Sequence, residues 1–207
     1  MITDIIARYP ALEACGGAIT EAVGLIGDVY KTSGILYICG NGGSAADAEH
    51  ISSELLKGFL LRRELALADA GLLNRFGEPG TILAGRLQTS LPAVPISSFI
   101  SLSTAVANDI ASDMVFAQAV WGLTKKNDAL MAISTSGNSK NVIYAAVAAK
   151  AKGARVISLT GAKGGELKQY SDVCICVPET ETYKIQELHL PVYHCICAEI
   201  ERRFFGQ

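Results

Sequence analysis

Residues 34–57 place the tightest constraint on the fold. Gly34-Ile-Leu-Tyr-Ile-Cys39 is an apolar run of strand length, Gly40-Asn-Gly-Gly-Ser44 is a turn, and an alanine-rich helical segment follows to about Lys57. Three glycines permit backbone angles closed to other residues and let main-chain N–H groups approach a ligand closely. A helix opening at such a turn presents unpaired N–H donors and the positive end of its dipole, which together suit an anion. The spacing is not that of nucleotide triphosphatases, because no lysine follows. Nor is it G-x-G-x-x-G, because position 45 is alanine.

The same layout returns 94 residues on, from Gly40 to Ser134. Asp128–Ile133 reads as a buried strand, Ser134-Thr-Ser-Gly-Asn-Ser139 as the turn, and 140–152 as a helix closed by Gly153. Capping by Asn138 or Ser139 is the ordinary use of one such residue. The hydroxyls of Ser134, Thr135, Ser136 and Ser139 exceed that need, and with backbone amides they can satisfy the peripheral oxygens of a phosphate ester.

The rest of the chain alternates in the same way. A helix is expected over about 4–30, interrupted near Pro10. Further strands fall at 93–96, 155–159 and 173–177, and helices at 99–107, 113–123, 164–170 and 182–204. Residues 60–90 form a more polar insert with a helix near 80–90. Alternation of this kind predicts one α/β domain over 1–207, with about five parallel strands between helical layers. Ligands then bind beyond the carboxyl ends of the strands, at the turns after 39, 133 and 159.

Composition narrows the function classes. Half of the residues are hydrophobic, enough for a sizeable core, and the net charge of −2 offers no general attraction to nucleic acid or acidic membranes. No apolar run approaches the roughly 20 residues of a membrane span, and the start lacks the basic-then-apolar layout of a secretory signal. A soluble cytoplasmic protein is expected. Cys174-Ile-Cys176 and Cys195-Ile-Cys197 lack C-x-x-C spacing, so the six cysteines read as reduced thiols used as small hydrophobes.

Gly40-Asn-Gly-Gly-Ser-Ala-Ala-Asp47 together with Ser134–Ser139 resembles the SIS (sugar isomerase) domain family. Through His50, Glu54, Asn108-Asp109 and Ile185-Gln-Glu-Leu-His189 the chain is similar to the phosphoheptose isomerases, over nearly its whole length apart from 60–90. The resemblance implies a three-layer SIS-type fold, a homotetramer with sites between subunits, and isomerisation of sedoheptulose 7-phosphate to D-glycero-D-manno-heptose 7-phosphate. It implies Glu54 and His194 as acid and base, and in some members zinc held by His50, Glu54, Gln186 and His194. Ser44, Ser134, Ser136 and Ser139 would fix the phosphate, helped by Gly42 and Thr135. Asn41, Asn108, Asp109 and Gln186 would contact the sugar. Such a reaction needs one group to remove a proton beside the carbonyl and another to move a proton on the adjacent oxygen, through an enediol-like state.

Geometry supports part of this set. His50 and Glu54, four apart, share one helix face. Gln186 and His194 are about 12 Å apart along a helix, so one ion meets both only if it lies between them or Pro191 deforms the helix; His189 is a reserve ligand. Two departures stand out. Tyr183 occupies a position where some members have Asp, and Lys57-Gly58 replaces Gly-Arg, so a sugar contact is either lost or moved to Lys57, Arg62 or Arg63. The competing readings are a non-catalytic protein like the DnaA initiator-associating protein, and a sugar-phosphate-sensing module.

Overall fold

The computed structural model of the protein describes residues 1–206. The chain enters through α1 (Ile2–Arg8) and a 3-10 turn over Pro10–Cys15, then α2 (Gly16–Lys31). The interruption expected near Pro10 is there, with proline in the first turn where its missing N–H costs no hydrogen bond. Strand β1 (Leu36–Cys39) leads into α3 (Gly43–Leu56), and the insert folds as two helices, α4 (Leu67–Asn74) and α5 (Gly77–Arg86). The single helix expected near 80–90 is thus a helical pair, broken where Gly77 adopts a φ of +68°.

After the insert come β2 (Ala93–Pro95), α6 (Ile100–Asp109), α7 (Val115–Leu123), β3 (Ala129–Ile133) and α8 (Lys140–Ala151). Strand β4 (Arg155–Thr160), β5 (Val173–Cys176) and the long α9 (Thr182–Phe205) complete the chain. Residues 166–170, expected within a short helix, form a 3-10 turn. Helix α8 stops as its sequence predicts: Gly153 N–H bonds Lys150 O and Ala154 N–H bonds Ala149 O, the double closure that a left-handed glycine allows.

All strand pairs are parallel, in the order β2-β1-β3-β4-β5. Alternate residues serve opposite faces. Leu36, Ile38, Met131, Ile133, Ile157 and Ile175 pack under α2, α3 and α9. Tyr37, Cys39, Leu130, Ala132 and Val156 pack against α7 and α8. Covering both faces removes the strands from water, which is why they read as continuous apolar runs. Cys174 and Cys176 share one face, with Sγ atoms 3.4 Å apart, and all six cysteines are free. No helix among the described residues is long and apolar enough to cross a membrane.

Candidate active site

In a sheet of this order the chain leaves β1 toward β2, then returns to place β3 on the other side. Ligands collect at that reversal, beyond the carboxyl ends of β1 and β3. The two polar turns occupy this crevice. Gly42 sits at φ +55°, a left-handed angle that L side chains rarely adopt. Gly137, at φ +67°, lets the second turn press onto the Gly164 carbonyl. Asn41 and Asn141 exchange amide hydrogen bonds of 2.9 and 2.8 Å, locking the first turn to the start of α8.

Ser139 occupies the cap position of α8, but its hydroxyl makes no capping bond; it meets Ser134 Oγ at 3.0 Å instead. Ordinary capping therefore does not account for it. Ser136 Oγ accepts the Asn138 N–H, and Asn138 Oδ1 accepts the Glu166 N–H, so Asn138 shapes the turn. Ser44 is buried behind the first turn. A cavity of about 220 Å³ opens beside Thr135 and Ser136, walled also by Gly161, Lys163 and Glu179. Lys163 adds a cation that the hydroxyl pattern alone does not disclose.

The second half of the site lies further along α3, where it meets α9. His50 Nε2 is 3.2 Å from Glu54 Oε1 and 3.5 Å from His194 Nε2. Tyr193 Oη stands 3.0 Å from His50 Nδ1 and so orients the ring with Nε2 toward the other two groups. Lys57 Nζ donates to Glu54 Oε2 at 3.1 Å. The ring of Phe59 lies 5.4 Å from that of His194, centroid to centroid. Burial first, and then neighbouring His50, hold His194 below the usual histidine range, with Glu54 opposing them. An imidazole kept neutral carries one proton and accepts another, as a proton-shuttling group must. Burial raises the Asp47 carboxyl, opposed by Tyr193 and His50, and raises the Tyr193 hydroxyl, to which Asp47 adds.

Not every expected residue joins this cluster. Gln186 packs at the opposite end of α3, where a Cβ added to Gly43 would lie 2.5 Å from its Nε2. Helix α9 runs unbroken through Pro191, so Gln186 and His194 stay about 12 Å apart in rise. His189 is fully buried with neither ring nitrogen bonded, so it joins neither group. Asn108 and Asp109 bond each other at the exposed end of α6. Arg63, a candidate sugar contact, is wholly buried against Glu201 and out of a ligand's reach.

Among the described residues no three His, Cys, Asp or Glu side chains close into a ready metal cage. The two separations around His50 Nε2 nevertheless match the edge of a tetrahedral centre, roughly 3.3 Å for bonds near 2.05 Å. Those two separations set one carboxylate oxygen and one imidazole nitrogen around His50 Nε2.

A doubly covered parallel sheet with two polar turns at its switch point defines a class. Residues 5–161 match the SIS domain family model. Within that class the chain belongs to the phosphoheptose isomerase family. It is 38% identical over 202 residues to the phosphoheptose isomerase of Thiobacillus denitrificans, covering 96% of this chain and 90% of the relative. The Helicobacter pylori (strain 26695) phosphoheptose isomerase is 38% identical over 194 residues, covering 94% and 88%. Among solved structures, the phosphoheptose isomerase of Neisseria gonorrhoeae superposes with a TM-score of 0.73 at 33% identity, over 96% of this chain and 94% of that one. The Francisella tularensis enzyme gives 0.75 at 28%, over 97% and 93%.

Sequence reasoning missed Tyr193, Asn141 and Lys163. A tyrosine in an apolar helix reads as core, and nothing local ties Asn141 to a residue one hundred positions away.

Proposed function

We propose that the protein isomerises sedoheptulose 7-phosphate to D-glycero-D-manno-heptose 7-phosphate. The observation that carries this reading is the convergence of Glu54, His50 and His194, contributed by two helices, in a chain whose switch-point turns are lined with hydroxyls. Glu54 takes the carbon-bound proton beside the carbonyl and returns it to the neighbouring carbon. His194, held neutral, moves the proton between the two oxygens. Ser134, Ser136, Ser139 and Ser44 hold the phosphate with the backbone of Gly42, and Thr135 assists. Asn41 and Gln186 orient the sugar.

His50, Glu54 and His194 are the residues that would hold zinc, which when bound supplies Lewis-acid polarisation of the carbonyl and hydroxyl oxygens. Gln186 is beyond their reach within its own chain. That separation supports a homotetramer in which a second copy completes the site, and in which the exposed Asn108 and Asp109 reach the sugar. Six free thiols support residence in the reducing cytoplasm. A non-catalytic scaffold would have no use for an imidazole–carboxylate cluster braced by Tyr193.

The test is turnover of sedoheptulose 7-phosphate in a coupled assay. Wild type converts it, and Glu54→Gln abolishes conversion while still binding the phosphate ester. Near-normal turnover by Glu54→Gln removes the assignment.

A further inference from the structure

The last carbonyls of helix α3 are met by Ser90, by the Leu91 N–H and by an arginine wholly removed from solvent. A helix leaves its last four carbonyls without partners inside the helix. Here Arg63 Nη2 donates to Glu54 O at 2.9 Å and Nη1 to Leu55 O at 2.6 Å. Its Nε donates to Glu201 Oε1 at 2.7 Å. Glu201 also accepts the backbone N–H groups of Phe59 at 2.7 Å, Leu60 at 2.7 Å and Leu61 at 3.0 Å. The Arg63 guanidinium lies 4.9 Å from the Phe205 ring centroid.

Burying an ion pair is a poor way to gain stability, because desolvation offsets much of the attraction, and well-packed apolar residues often do as well. What the pair supplies is geometry. Its partners are the backbone of Glu54 itself and the loop that presents Phe59 to His194. Its carboxylate stands two helical turns beyond His194 on the same helix. We infer that Arg63 and Glu201 are positioning residues that set the spacing of Glu54 and His194 by tying the end of α3 and the Phe59 loop to α9.

This inference rests on the isomerase reading, and its test separates the two. Arg63→Ala, Arg63→Lys and Glu201→Gln are compared with wild type for kcat, KM and pH–rate profile on sedoheptulose 7-phosphate, with and without millimolar guanidinium. NMR of each folded variant follows the His194 ring protons, which feel the ring current of Phe59. Misplacing reacting groups by about 1 Å costs up to about a hundredfold in rate. The expected result for Arg63→Ala is a kcat lowered about 10- to 100-fold, KM within about threefold, a displaced pH profile and a shifted His194 signal. Guanidinium restores part of kcat, and Arg63→Lys stays impaired because an ammonium cannot span both carbonyls and the carboxylate. If Arg63→Ala does not fold, Glu201→Gln gives the same readings. A folded variant with wild-type kcat and an unmoved His194 signal overturns the inference alone. So does a loss that only follows the folded fraction, with profile and signal unchanged. Absence of turnover in wild type overturns the isomerase reading and this inference with it.

Discussion

Tyr193 Oη lies 3.0 Å from His50 Nδ1, a contact between α9 and α3 that fixes which ring nitrogen of His50 faces Glu54 and His194. Groups of this kind, bonded to the far nitrogen of a site histidine, commonly govern affinity or rate by 10- to 100-fold. Tyr193→Phe keeps the buried ring and removes only the hydroxyl. Steady-state kinetics should show kcat lowered about tenfold with KM little changed.

The paired hydroxyls of Ser134 and Ser139 lead to a different signature. If they anchor the phosphate, Ser134→Ala or Ser139→Ala should raise KM about tenfold, the loss of one hydrogen bond to a charged group, and leave kcat nearly intact. Because the two oxygens are 3.0 Å apart and act as a unit, the double variant should lose less than the product of the single effects. Affinity for inorganic phosphate, measured by calorimetry, should weaken in step.

His189 predicts a pH dependence of stability. Burial lowers it from 6.5 to about 4. Below pH 6.5 the unfolded chain takes up a proton that the folded chain refuses until about pH 4. Stability therefore falls as pH drops through that window, by about 2 kcal/mol between pH 7 and pH 5. His194 is shifted in the same direction. The carboxylates of Glu199 and Glu201 are shifted downward, so their contribution is lost only at lower pH. Urea melts of His189→Leu should show a flatter profile between pH 7 and 5 than wild type.

Much of the fold is legible in the sequence because each strand–turn–helix unit carries its own signals. The apolar run to Cys39, the glycines after it and the left-handed Gly153 all do locally what their residue types require. The distance between Gln186 and His194 is also legible, since helix rise alone sets it. The insert is less so: Leu67 in its first helix and Phe76 in the turn between the two are exposed, and no buried stripe marks the helix faces. Arg63 shows the limit most sharply. By composition it belongs with Arg62 as a solvent-facing cation, and only the fold brings Glu201 across 138 positions to bury it. Asn108 and Asp109 carry motif signals, yet among the described residues their side chains bond only each other, so sequence pattern and single-chain geometry part company there.

In the proposed reaction Glu54 carries a proton to and from carbon. Incubating the protein with sedoheptulose 7-phosphate in D2O and following the sugar by NMR tests this without a coupling enzyme. Wild type should introduce deuterium at the carbon beside the carbonyl as product forms, because the proton held on the Glu54 carboxyl exchanges with solvent before return, while Glu54→Gln, with the phosphate ester still bound, should introduce none. Deuterium incorporation by Glu54→Gln at the wild-type rate would show that another group carries that proton.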